Sequence, residues 1–130
     1  MHINYLKSLD KLTSVQIEIE KLIISTNKTS FEDMQISRLL QNILDEIRST
    51  ILDIEYFDRQ CVIGILTELP NGRFELNGHE LTCGSPLEIY STELSEWIVG
   101  RIEYRNKYYF CANDLDHLIL YSGIQARIRV

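Results

Sequence analysis

Ile54-Glu55-Tyr56-Phe57-Asp58-Arg59-Gln60-Cys61-Val62-Ile63-Gly64-Ile65-Leu66 is the stretch in which the hydrophobic period of this chain changes. Upstream, from Tyr5 to Phe57, apolar residues return every three or four positions, the period of a helix. Downstream they fall into short runs broken by Asn71-Gly72, Asn77-Gly78, Cys83-Gly84 and Asn106, the punctuation of strands. Two helices followed by a β unit are therefore expected, with the boundary near Gln60.

Working back from the boundary, Ile36, Leu40, Ile43, Ile47, Thr50, Ile54 and Phe57 share one stripe of the second helix. Leu39, Leu44 and Ile51 widen it beyond what one partner helix covers. Tyr5, Leu9, Leu12, Gln16, Ile19 and Ile23 form the seam of the first helix, from about residue 4 to 25, and only Gln16 interrupts it. Thr26-Asn27-Lys28-Thr29-Ser30 reads as the turn between them, with Ser30 and Asp33 capping the second helix. The surplus apolar flank either covers the β unit or pairs with a second copy. A homodimer through Leu39, Leu44 and Ile51 is the favoured expectation.

Working forward, the expected strands are Cys61 to Leu66, Arg73 to Leu76, His79 to Cys83, Leu87 to Tyr90, Glu96 to Tyr104, Lys107 to Ala112 and Gly123 to Val130. Asn77-Gly78 suits a tight hairpin because both residues tolerate the left-handed backbone. Trp97, Val99, Arg101 and Glu103 alternate with Ile98, Gly100, Ile102 and Tyr104, so Ile98, Ile102 and Tyr104 are expected to face the core. The expected architecture is α+β: an N-terminal antiparallel helical hairpin at 1–58, then a small SH3-like antiparallel β-barrel at 60–130, sharing a core. Pro70 and Pro86 are placed at turns.

The segments Gly78-His79-Glu80-Leu81-Thr82-Cys83-Gly84-Ser85-Pro86-Leu87-Glu88-Ile89, Trp97-Ile98-Val99-Gly100-Arg101-Ile102-Glu103-Tyr104 and Gly123-Ile124-Gln125-Ala126-Arg127-Ile128-Arg129 resemble domain-of-unknown-function family 5348. The resemblance covers about residues 70 to 130. It implies small proteins of Gram-positive bacteria and their mobile elements, and brings no chemistry with it.

Composition narrows the function classes. A formal charge of -6 opposes general binding to a phosphate backbone. No long apolar run exists, and Met1-His2-Ile3-Asn4-Tyr5 lacks the pattern of a secretion signal, so a soluble cytoplasmic protein without membrane association is expected. Cys61, Cys83 and Cys111 are an odd set without disulfide or zinc spacing, and read as reduced thiols. His2, His79 and His117 are dispersed, so no metal or other cofactor is expected.

Asn113-Asp114-Leu115-Asp116-His117 reads as a solvated turn, with Asp114 accepting local backbone bonds. Cys83 with His79, or Cys111 with His117, would be a nucleophile and base, but neither pair comes with an oxyanion site, and no enzyme is expected. Glu80, Glu88, Glu96 and Glu103 alternate as carboxylates of solvated strand faces.

The candidate surface is Trp97, Arg101, Tyr104, Arg105, Lys107, Tyr108, Tyr109, Tyr121, Arg127 and Arg129. Its arginines either pair with Glu96, Glu103 and neighbouring acids or form a charged aromatic recognition groove. The leading expectation is a non-catalytic adaptor or regulator with an unidentified protein partner, modulating a host or defence protein on behalf of a mobile element or phage. The alternative is an accessory protein that stacks single-stranded nucleic acid on this surface.

Overall fold

A computed structural model describes residues 3–113 and 115–130, and for Leu115 and Asp116 the backbone alone. The expectations for His2 and for Asp114 lie outside the described residues. The chain divides into a helical unit ending at Arg59 and a β unit, Gln60–Val130.

In the helical unit, α1 spans Ile3–Ser25 and α2 spans Phe31–Tyr56. The start of α2 is fixed by Ser30, whose Oγ accepts a hydrogen bond from the Asp33 backbone N–H at 3.1 Å, while Glu32 and Asp33 complement the positive end of the helix. The five residues between the helices reverse the chain, and the two pack on each other. Gln16, the polar break in the seam, donates to Glu20 at 3.2 Å, and Glu20 also accepts from Arg48 of α2 at 3.0 Å. These bonds, that from Gln16 first, hold the Glu20 carboxyl below its ordinary pKa. A polar clasp thus stands where the apolar seam is interrupted.

Among the described residues the β unit has nine strands: β1 (Cys61–Ile65), β2 (Thr67–Glu68), β3 (Phe74–Leu76), β4 (His79–Leu81), β5 (Pro86–Ser91), β6 (Glu96–Arg105), β7 (Lys107–Ala112), β8 (Leu115–Ile119) and β9 (Gln125–Arg129). They form two antiparallel sheets, one of order β1-β9-β5-β6-β7-β8 and one of order β2-β3-β4. The expected SH3-like barrel is therefore not formed. Closure would require the edge strands β1 and β8 to pair, and they stay at opposite edges.

The physical reason lies just after β1. Leu66 exchanges backbone bonds with Ile124 and Gly123, and the chain then leaves the large sheet for β2, β3 and β4, strands too short to curl round it. Tight turns close these short strands on one another. At Asn77 and Gly78, φ values of 48° and 85° give the left-handed pair that the Asn-Gly hairpin requires. The side chain of Asn77 donates to the Ile63 carbonyl at 2.9 Å and occupies the space that a Cβ on Gly64 would fill, tying the small sheet to the edge of the large one.

One core joins the sheets. Leu66, Phe74, Leu76 and Leu81 from the smaller sheet and its approach pack with Leu87, Ile89, Ile102, Phe110, Leu120, Ile124, Ala126 and Ile128. Ile98 packs at its margin and Ile102 is buried, whereas Tyr104, expected inside, is exposed at the end of β6. Pro86 opens β5 instead of lying in a turn, which suits a residue that lacks an N–H. The segment read as a solvated turn carries β8 from Leu115 onward.

Candidate functional site

Alternation in the six-stranded sheet sends Leu87, Ile89 and Ile102 to the core and their neighbours to the other face. Register places Ile63 opposite Arg127, Arg127 opposite Glu88, and Glu88 opposite Val99, so one row crosses four strands. Arg129, two residues beyond Arg127, reaches the same carboxylate. This row is the centre of the candidate site.

Glu88 was expected to be solvated and is fully buried, its side chain 0 % exposed. Arg127 donates through Nε to Oε1 at 2.9 Å, with Nη2 at 2.8 Å. Arg129 donates through Nε to Oε2 at 2.9 Å and through Nη2 to Oε1 at 3.4 Å. Burial opposes the ionised form of Glu88, but the hydrogen bonds from Arg129 and Arg127 and their charges outweigh it, holding the carboxyl below its ordinary pKa. Two guanidinium groups converge on one carboxylate. The Arg127 guanidinium also lies 4.2 Å from the centre of the Trp97 ring, and Trp97 meets Tyr90 edge-on at 5.3 Å.

Around this cluster the surface is aliphatic. Ile63 is 54 % exposed, Ile65 51 % and Val99 48 %.

Farther along the same face, Arg101 donates to Glu103, its neighbour two residues on, at 2.6 Å. Glu103 also accepts from the Cys83 thiol at 3.5 Å, and these bonds, that from Arg101 first, lower its pKa. Arg101 faces Cys111 in the register. The ring of His117 stacks on Tyr109 at 4.6 Å with its Nε2 3.9 Å from the Cys111 sulfur. Of the two Cys-His pairs considered from sequence, the fold gives this one a direct contact. Among the described residues no group of three or more His, Cys, Asp or Glu side chains could hold a metal ion.

The ten residues expected to form one surface thus separate. Trp97, Arg127 and Arg129 belong to the Glu88 cluster, and Arg101 and Tyr109 to the adjoining polar row. Tyr104, Lys107 and Tyr108 instead line a cleft of about 440 Å³ with Glu68 and Phe74. Tyr104 and Tyr108 pack there at 4.8 Å. Arg105 is exposed at the end of β6, and Tyr121 is exposed outside the cleft lining. Leu39, expected at a dimer contact, is 61 % exposed, and Ile51 is half-buried. Leu44 is buried inside the helical unit, so it is not available to a second copy.

Sequence reasoning missed Glu88 as the hub. The signal that pointed to it is the Arg-x-Arg spacing of Arg127 and Arg129, which puts two cations on one face of a strand. Among the described residues no helix is long and apolar enough to cross a membrane. No curated protein and no solved structure matches the chain. A family model described as a domain of unknown function, DUF5348, matches residues 64–128, from β1 to β9, and the chain belongs to that family.

Proposed function

We propose that this chain is a non-catalytic protein-contact module whose working surface is the outer face of the six-stranded sheet. One observation carries the reading. Arg127 and Arg129, the cations that a phosphate backbone would recruit, are committed to the buried Glu88, while Ile63, Ile65 and Val99 beside them stay half exposed. Such a face suits a protein surface that offers apolar side chains. For single-stranded nucleic acid, Arg105 and Lys107 remain at the β6–β7 turn, and the chain's net charge of -6 opposes that partner. The resemblance to proteins of Gram-positive bacteria and their mobile elements favours a host or defence protein as the one contacted.

The test is affinity capture from a Gram-positive lysate with the full chain and with Ile63→Asp and Val99→Asp, which place a charge on the proposed face without touching the core. The reading predicts discrete proteins held by the parent and lost from both variants. Equal capture by parent and variants, or recovery of nucleic acid alone, would contradict it.

A further inference from the structure

Three thiols occupy three different environments. Cys61 is exposed at the edge strand β1, and Cys83, also exposed, donates to the Glu103 carboxylate. Cys111 is the least exposed of the three, yet among the described residues it is the thiol with an imidazole in contact, His117 Nε2 at 3.9 Å. The stack on Tyr109 fixes the plane of the imidazole, so the nitrogen is held near the sulfur. A positioned base is what a thiol needs to react as a nucleophile, whereas a carboxylate beside the sulfur, as at Cys83, repels the charge that develops.

We propose that Cys111 is a modification site that undergoes thiol–disulfide exchange with low-molecular-weight disulfides, His117 accepting the thiol proton. In the exchange the Cys111 S–H proton passes to His117 Nε2, and the sulfur attacks one sulfur of the disulfide. The S–S bond of the small molecule breaks as the new one forms. The leaving thiolate takes a proton from the imidazolium, leaving His117 neutral. Cys111 is oxidised, and the disulfide, which supplies the oxidising equivalents, is reduced to one thiol and one mixed-disulfide half. The adduct stands beside Arg101 on the same sheet face as Val99, so modification would also change the surface proposed for protein contact.

The experiment follows each thiol separately by peptide mass spectrometry during iodoacetamide labelling of the native full chain, and then during incubation with oxidised glutathione. Exposure alone would rank Cys61 and Cys83 ahead of Cys111; the proposal ranks Cys111 first, on the order of tenfold faster, because general-base assistance is worth roughly 100-fold or more when well aligned and less at this separation. His117→Ala should lower the Cys111 rate about tenfold and leave Cys61 and Cys83 unchanged, and the glutathione adduct should form first at Cys111. Faster labelling at Cys61 or Cys83 in the parent, an unaltered Cys111 rate in His117→Ala, or a rise at all three thiols in that variant would overturn the proposal. The readout needs no partner, so its failure would leave the protein-contact reading standing, and the converse also holds.

Discussion

Replacing Glu88 by glutamine keeps the shape of the side chain and removes the charge that Arg127 and Arg129 share. At an effective dielectric of about 20, contacts of 2.8 and 2.9 Å correspond to roughly 6 kcal/mol of gross attraction each. Desolvation of three charged groups and repulsion between the two guanidinium groups cancel much of that. Removing one partner of a buried pair nevertheless typically costs about 3 to 5 kcal/mol, because the remaining charges stay buried. The amide oxygen still accepts one hydrogen bond, so about 3 kcal/mol is expected for Glu88→Gln.

Trp97 is the only tryptophan, and it lies against Arg127, so its fluorescence reports unfolding of the β unit. With a urea slope of about 1 to 1.5 kcal/mol/M, the midpoint should fall by roughly 2 to 3 M. The pH dependence has a defined sign. The folded pKa of Glu88 is lowered from its ordinary 4.5, so its stabilisation is present above that value and is lost as pH falls through the folded value. Acidification below about pH 4.5 should therefore narrow the gap between parent and variant. A midpoint change equivalent to less than about 1 kcal/mol, the worth of a surface ion pair, would refute the buried-hub reasoning.

Gly100→Ala would drive a Cβ into the Cys111 carbonyl and to 2.6 Å from Phe110 Cζ; overpacking of this kind costs about 1 to 3 kcal/mol, visible as a lower urea midpoint by Trp97 fluorescence. Ser30→Ala removes the acceptor for the Asp33 N–H and should cost about 1 kcal/mol, read as earlier thermal loss of helical circular dichroism with the Trp97 transition unchanged. In the helical unit Ile36, Leu39 and Ile43 stand on one exposed stripe of α2, and pairing of two copies through it predicts about twice the 15.2 kDa chain mass by light scattering. Leu39→Glu should return the mass to that of one chain, and a concentration-independent monomer in the parent would end the dimer proposal.

Features encoded over a few residues were legible in the sequence. The helix periods, the Ser30 cap and the Asn77-Gly78 hairpin each rest on neighbours in the chain, where spacing and backbone tolerance speak directly. Barrel closure was misjudged because it depends on which distant strands pair. β1 joins β9, and β2 has only two residues, too few to show a period. Glu88 looked solvated because Leu87-Glu88-Ile89 alternates as a half-buried strand would; what buries it comes from Arg127 and Arg129, 39 and 41 residues away. Leu44 shares the apolar stripe of α2 with Leu39. Which of them faces α1 is a matter of helical phase against the partner, and composition does not carry that.

Photo-cross-linking from position 99 tests the central claim most directly. A photoreactive residue replacing Val99 in the full chain, irradiated in a Gram-positive lysate, should give a discrete adduct that protease removes and nuclease does not, while the same residue at the exposed His79 of β4 gives none. An adduct sensitive to nuclease, or equal labelling from positions 99 and 79, would contradict a protein-contact face on the outer side of this sheet.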